Sequence, residues 1–123
     1  MTKRPINAIK FTPDLLRKLQ MVELDILLEL DKICRKNHID YFLCGGTLLG
    51  AVRHGGFIPW DDDVDVGFFR NDYERFCQVF QEQSDSSRYF LQTWKTDPHY
   101  YWNYGKIRRL GTESVSYTHL RAH

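Results

Sequence analysis

Between Asp61 and Phe68 the chain reads Asp-Asp-Asp-Val-Asp-Val-Gly-Phe. Four aspartates fall within five positions, and the valines among them keep the segment from being plain acidic surface. On an extended backbone, Asp61, Asp63 and Asp65 project to one side while Val64 and Val66 project to the other. The valines can anchor in a core while the carboxylates hang over a cleft. Like charges this close repel, and burying an unpaired carboxylate costs several kcal/mol or forces protonation. The arrangement calls for something positive at the carboxylate face.

Two carboxylates side by side on a strand suit a hard divalent cation such as Mg²⁺, whose shell substrate phosphates complete. Such an ion neutralises charge on a phosphate under attack and helps activate an incoming hydroxyl. On these residues alone a solvated acidic loop stays open as an alternative. A calcium loop fits poorly. Asp61, Asp63, Asp65 and Asp72 fall at the first, third, fifth and twelfth positions of an EF-hand, but the sixth is Val66, where the sharp turn needs glycine. A β-branched residue resists positive φ, and the segment reads as strand.

Upstream, "GGTLLGAVRHGG" follows the short apolar run Tyr41–Cys44, which reads as a buried strand. Gly45 and Gly46 open a short helix that ends at Gly55–Gly56. Glycines let a phosphate approach the backbone, and free first-turn N–H groups point at it. A strand, a double glycine, a helix and then an Asp-x-Asp strand bring a phosphate cradle and a carboxylate pair together. From Arg88 onward there are six basic residues and two acidic ones, so a basic segment and the acidic cluster can face each other across a site.

The remaining pattern predicts α–β–α–β–α–β–β. Thr12 caps a long helix with Pro13 at its first position, Asp14 in its first turn, and Arg35, Lys36 and His38 in its last. Leu16, Leu19, Glu23, Ile26, Leu30 and Ile33 form its core-facing stripe. "RNDYERFCQVFQEQ" reads as a helix with Asn71 as a cap and Tyr73, Phe76, Cys77 and Phe80 on one face. "RYFLQTW" and "YGKIRRL" read as strands separated by a turn containing Pro98, and residues 1–11 as a mobile lead-in. "VSYTHLRAH" shows neither helical nor strand period.

With 123 residues the chain makes one domain with a real core, and 42% hydrophobic content excludes a disordered one. Seventeen Lys and Arg against sixteen Asp and Glu give no general reason to expect nucleic acid as a partner. No apolar run approaches the roughly 20 residues that span a bilayer, so no transmembrane segment is expected. Cys34, Cys44 and Cys77 form no zinc-ligand pair and no secretory signal precedes them, which predicts reduced thiols in a cytoplasmic protein. Cys34 and His38, four apart, are a weak metal candidate, since structural zinc wants four ligands.

The stretch "GGTLLGAVRHGGFIPWDDDVDVGF" resembles the signature of the LicD family, which includes the fukutin-related proteins, within the nucleotidyltransferase-fold superfamily. The resemblance runs from about Leu19 to Ser114 and includes the later "KIRRLGT". It implies an α+β fold, a nucleotidyltransferase-like small mixed sheet with packed helices, over residues 12–114. It also implies an enzyme that moves a phospho-alcohol, such as phosphocholine or ribitol phosphate, from a CDP-linked donor to a glycan hydroxyl, releasing CMP. Asp63 and Asp65 would be catalytic and would bind Mg²⁺ (or Mn²⁺) with help from Asp61. Gly45, Gly46 and Thr47 would line the donor phosphates, with Arg53, Lys106 and Arg108 as further phosphate contacts. Plainer roles stand beside these: Arg53 as a surface helix residue, Lys106 and Arg108 as solvated strand charges, His54 as loop surface. Trp60, Tyr100, Tyr101 and Trp102 could stack on a base or hold a quaternary ammonium, or be core and rim.

The sequence departs from the family where a strand reading roughly "GIFIDIFPLD" should follow the "KIR…GT" element. The chain instead reaches "KIRRLGTES" and the aperiodic tail, which resembles translated adaptor or vector sequence. Residues 115–123 are therefore expected to be non-native, the sheet to be incomplete at the C-terminal end, and a third carboxylate to be missing. An inactive fragment and a degenerate nucleotide- or glycan-binding domain both follow from that departure, beside nucleotidyl transfer with pyrophosphate release as a rival chemistry.

Overall fold

Thr12 starts the first helix as its sequence predicts. Its hydroxyl accepts from the Leu15 N–H at 3.2 Å, Pro13 occupies the first turn, and α1 runs Pro13–Asn37. His38 ends it in the left-handed region at φ 55°. The computed structural model describes residues 12–59, 63–93, 95–96, 105–111 and 117–122. The expected lead-in, the Pro98 turn, Trp60, Asp61, Tyr100, Tyr101 and Trp102 lie outside the described residues. After α1 come β1 (Phe42–Leu43), α2 (Gly45–His54), β2 (Val64–Phe68), α3 (Arg70–Gln83), β3 (Tyr89–Gln92), β4 (Gly105–Arg109) and β5 (Tyr117–Ala122).

The five strands make one mixed sheet in the order β1-β2-β5-β4-β3. β2 and β5 are parallel, with Asp65 opposite His119 and Gly67 opposite Arg121. The other neighbours are antiparallel. Helices α1 and α3 pack on the face that carries Val64, Val66, Phe68, Ile107 and Leu120, all fully buried. Of the predicted α1 stripe, Leu19, Glu23, Ile26, Leu30 and Ile33 are buried and Leu16 is half-buried. On α3, Tyr73, Phe76 and Phe80 are buried and Cys77 is partly so. Phe68 stacks on Phe76 at 4.8 Å between ring centroids, Phe76 meets Phe80 at 5.3 Å, and Phe80 meets Tyr89 at 6.5 Å. This aromatic row joins β2, α3 and β3 through the core.

Asp25 ties α1 to the far side of the sheet. Its Oδ2 accepts from the Tyr89 hydroxyl at 2.9 Å and from Arg109 Nε at 3.1 Å. Burial and that bond to Asp25 push the Tyr89 hydroxyl up to about 12. The three cysteines are free thiols. Burial pushes Cys34 up to about 12 while His38 is exposed, and no metal-ligating group of three forms among the described residues. The Cys34–His38 candidate gathers no third ligand among the described residues.

Three expectations are corrected. Tyr41–Cys44 shrinks to a two-residue edge strand, and Phe42 is 36% exposed because β1 has only β2 beside it. Asn71 does not cap α3; the cap position falls on Phe69, with no side-chain bond to the helix. Above all, the segment read as aperiodic holds a central strand. On β5, Thr118 and Leu120 are fully buried, Ala122 packs against the core, and His119 is turned to the opposite face. The period of two is present but weak, because one inward position is polar and another is small.

Burial at β5 has a measurable consequence. Leu120→Ala should cost about 2–5 kcal/mol of unfolding free energy, as for other buried leucines. Leu28→Ala, at a position 60% exposed, should stay within roughly 0.5 kcal/mol. Urea denaturation of both variants checks this, and equal midpoints would mean that β5 is not part of the folded sheet.

Candidate active site at the open face of the sheet

The glycines of α2 deliver the helix to the carboxylate strand. Gly45 takes φ +53° at the helix start, and Gly55 takes φ +66° at its end, where the Gly55 N–H bonds back to the Gly50 carbonyl. Gly50 has no room for a side chain: a Cβ there would sit 2.5 Å from the Gly56 carbonyl oxygen and 2.9 Å from the Ile58 nitrogen. That close approach folds the Gly56–Ile58 arm back along the helix. The buried Gln20 side chain of α1 fixes the arm by donating to the Ile58 carbonyl at 3.3 Å.

Asp65 lies where these elements meet. Its backbone carbonyl accepts from the Cys44 N–H at 3.0 Å, and its own N–H donates to the Thr47 hydroxyl at 2.9 Å. The first turn of α2 is thereby stitched to β2 through one residue. The Asp65 Oδ2 lies 4.0 Å from where a Cβ on Gly45 would stand, so the carboxylate sits over the N-terminus of α2, the positive end of the helix. On its other side, Oδ1 stands 3.3 Å from His119 Nδ1 and 3.5 Å from Arg121 Nε. Burial by itself would raise the Asp65 carboxyl. The His119 hydrogen bond and charge, followed by Arg121, outweigh it and hold the group below its usual range.

Pairing register extends the site across the open face. Gln92, Lys106, His119 and Asp65 form one row over β3, β4, β5 and β2. Two strand spacings, about 10 Å, separate Lys106 from Asp65 along that row. Arg108, one pleat further along β4 and exposed, shares the face. Lys106 is half-buried, and burial followed by the neighbouring Arg108 charge lowers its pKa. Asp63 immediately precedes β2 and is half-buried. Gly45, Gly46 and Thr47 form the first turn of α2 beside Asp65. Arg53 is exposed in the last turn of α2, about 12 Å along the helix from Gly45, so the helix does not bring it to that end. His54 is exposed beside it.

Sequence reasoning missed His119 and Arg121. Their one signal was alternation on Tyr117–Ala122, hidden by Thr118 in a core position. It also missed the backbone role of Thr47, which no side-chain pattern announces. The acidic cluster and the basic C-terminal segment do face each other, at Asp65 and Arg121.

A divalent cation is the group that these carboxylates would be expected to hold. The described donors do not complete a site for one by themselves. Oδ1 of Asp65 is buried and faces an imidazole and a guanidinium, and no three ligating side chains converge among the described residues. Asp61 lies outside those residues.

The depressed Asp65 carboxyl fixes a sign. Its contribution to stability is complete above the unfolded value near 3.8 and is lost as pH falls through the lower folded value. Asp65→Asn should therefore be less stable than wild type at neutral pH, with the gap narrowing below that point. Urea midpoints at both ends of the range measure it; a gap that widens in acid would contradict the pairing.

The family described as LicD/FKTN/FKRP, nucleotidyltransferase domain, matches residues 38–120, well over half of the chain. The lipopolysaccharide cholinephosphotransferase LicD of Haemophilus influenzae is 54% identical over 68 residues, covering 54% of this chain and 26% of that protein. The ribitol 5-phosphate transferase FKRP of human and of mouse is 59% identical over 34 residues, 28% of this chain and 7% of each relative. The chain thus spans about a quarter of the bacterial relative's length and far less of the mammalian ones. Among the described residues no helix is long and apolar enough to cross a membrane. The matched stretch contains β1, α2, β2, α3, β3, β4 and most of β5, with the small mixed sheet and packed helices of a nucleotidyltransferase-like fold, and the chain belongs to the LicD/FKTN/FKRP nucleotidyltransferase family.

Proposed function

We propose that the chain carries the donor-binding part of a phosphotransferase that moves a phospho-alcohol from a CDP-linked donor to a glycan hydroxyl, as in the modification of lipopolysaccharide or teichoic acid. The observation that carries this reading is the stitching of the α2 N-terminus to Asp65 through Cys44 and Thr47, inside the family stretch. Both relatives' names describe transfer of a phosphorylated alcohol, cholinephosphate in one and ribitol 5-phosphate in the other. That shared chemistry supports a phospho-alcohol as the group moved.

In this reading the donor diphosphate lies against the first turn of α2. Gly45 and Gly46 have no Cβ to hold it off, and their N–H groups precede the first bonds of the helix, which Thr47 and Leu48 donate to the Cys44 carbonyl. Lys106 and Arg108 approach from β4 and offset the phosphate charge. The acceptor hydroxyl attacks the phosphorus nearer the alcohol and CMP leaves. Positioning and charge neutralisation carry most of the rate in such transfers. The reading places the reaction in the cytoplasm, where nucleotide-linked donors are made. The resemblance assigns Mg²⁺, or Mn²⁺, to Asp61, Asp63 and Asp65, where the ion would neutralise charge on the phosphate under attack.

Calorimetry with CDP-choline, CDP-ribitol and CMP, together with chromatographic detection of CMP in the presence of glycan acceptors, tests this. Saturable binding is expected for the CDP-linked compounds, with CMP release where the acceptor matches. Lys106→Gln/Arg108→Gln should weaken binding roughly tenfold, the loss of one or two charge-assisted contacts. No binding to any cytidine nucleotide would overturn the reading, and CTP consumption with pyrophosphate release would move it to nucleotidyl transfer.

A further inference from the structure

β3 brings two unlike side chains to the edge of the open face. Tyr89 and Leu91 of this strand are buried, so Phe90 and Gln92 alternate with them onto the face that carries Lys106. Phe90, 38% exposed, stands directly opposite Arg108, and the half-buried Gln92 directly opposite Lys106. The end of the strand is held in place. The Thr96 hydroxyl donates to the Leu91 carbonyl at 2.8 Å and accepts from the Thr93 N–H at 2.8 Å. An aromatic ring and an amide thus stand on a fixed element one strand spacing, about 5 Å, beyond the two cations.

We propose that Phe90 and Gln92 hold the cytosine base of the donor, the ring by stacking and the amide by hydrogen bonds to the base edge, so that the nucleoside lies over β3. The inference rests on the reading that a CDP-linked donor occupies the open face, and it adds the donor's direction. In that reading the diphosphate lies between the first turn of α2, beside β2, and the cations of β4. Its two ends therefore point to opposite sides of the sheet, one past β4 onto β3 and the other toward β1. Three strand spacings, about 14 Å, separate Gln92 from Asp65 along the row and leave room for the nucleoside beyond the phosphates. Cytosine presents a ring-nitrogen acceptor and an amino donor side by side, and the NH₂ and oxygen of one glutamine amide match them two for two. A stacked ring with such edge contacts is how proteins hold a single base. The β1 end lacks that chemistry. Phe42 lies across Gly67 against Cys44 and meets Phe69 at 5.5 Å between ring centroids, a corner whose described side chains are apolar. The phosphorus nearer the alcohol then stands at the α2 end beside Asp65, and the departing CMP lies over β4 and β3.

Calorimetry of the whole chain with two probes, CDP and inorganic pyrophosphate, separates the base from the phosphates. Phe90→Ala should weaken CDP binding roughly tenfold, as loss of a base–aromatic stack does, and leave pyrophosphate binding unchanged. Gln92→Leu should act in the same sense through the lost edge contacts. Lys106→Gln should weaken both probes, whereas Phe69→Ala, at the other end of the row, should bind both as wild type does. Circular dichroism reports whether each variant is folded. Phe90→Leu, which keeps apolar bulk without an aromatic face, carries the test if Phe90→Ala is not. CDP binding that neither Phe90→Ala nor Gln92→Leu weakens would overturn the inference. So would parallel losses of CDP and pyrophosphate in Phe90→Ala, or a loss of CDP binding in Phe69→Ala instead, which would put the nucleoside over β1. Absence of CDP binding by wild type would remove the donor reading and this inference with it, so failure of the reading and failure of the direction are told apart.

Discussion

The sheet depends on a single strand that shares both of its edges. β5 pairs with β2 on one side and β4 on the other, so among the described residues the strand ladder between the β1–β2 half and the β3–β4 half runs through it. Its Thr118 and Leu120 complete the apolar layer under α1 and α3, while His119 projects to the face where α2 delivers its N-terminus. Fold and site are thus coupled through the alternation of one strand. Whatever keeps Leu120 in the core also holds an imidazole against Asp65.

Asp65 plays a corresponding part on the site side. Its main chain anchors α2, its side chain sits at the helix N-terminus, and its second oxygen faces β5. An imidazole and a guanidinium converge on a single half-buried carboxylate. Together they outweigh the desolvation that would otherwise favour its protonated form. Lys106 and Arg108 continue the positive surface away from Asp65 along the same face.

Much of this was legible in the order of residues. The cap at Thr12, the α1 stripe, the glycine-bounded α2, the alternation of β2 and the aromatic face of α3 all follow from periods and turn chemistry that act over a few residues. The same local physics misplaced the cap of α3, because Phe69 takes the extended conformation a cap needs without a side-chain bond. It also overstated β1, since an apolar run does not reveal whether a strand is central or at an edge. β5 escaped because an inward threonine and an inward alanine flatten the alternation that would mark it.

The sequence by itself determined which residues can carry charge chemistry and on which side of a strand they stand: Asp63 and Asp65 opposite Val64 and Val66, glycines at both ends of α2, and basic residues on β4. Those are local consequences of pleat and helix geometry. Only the tertiary structure decided what Asp65 faces. The parallel register of β5 beside β2 joins residues more than fifty positions apart, and nothing in the local pattern of either segment specifies that pairing. It places an imidazole and a guanidinium beside a carboxylate that sequence reasoning assigns to a metal.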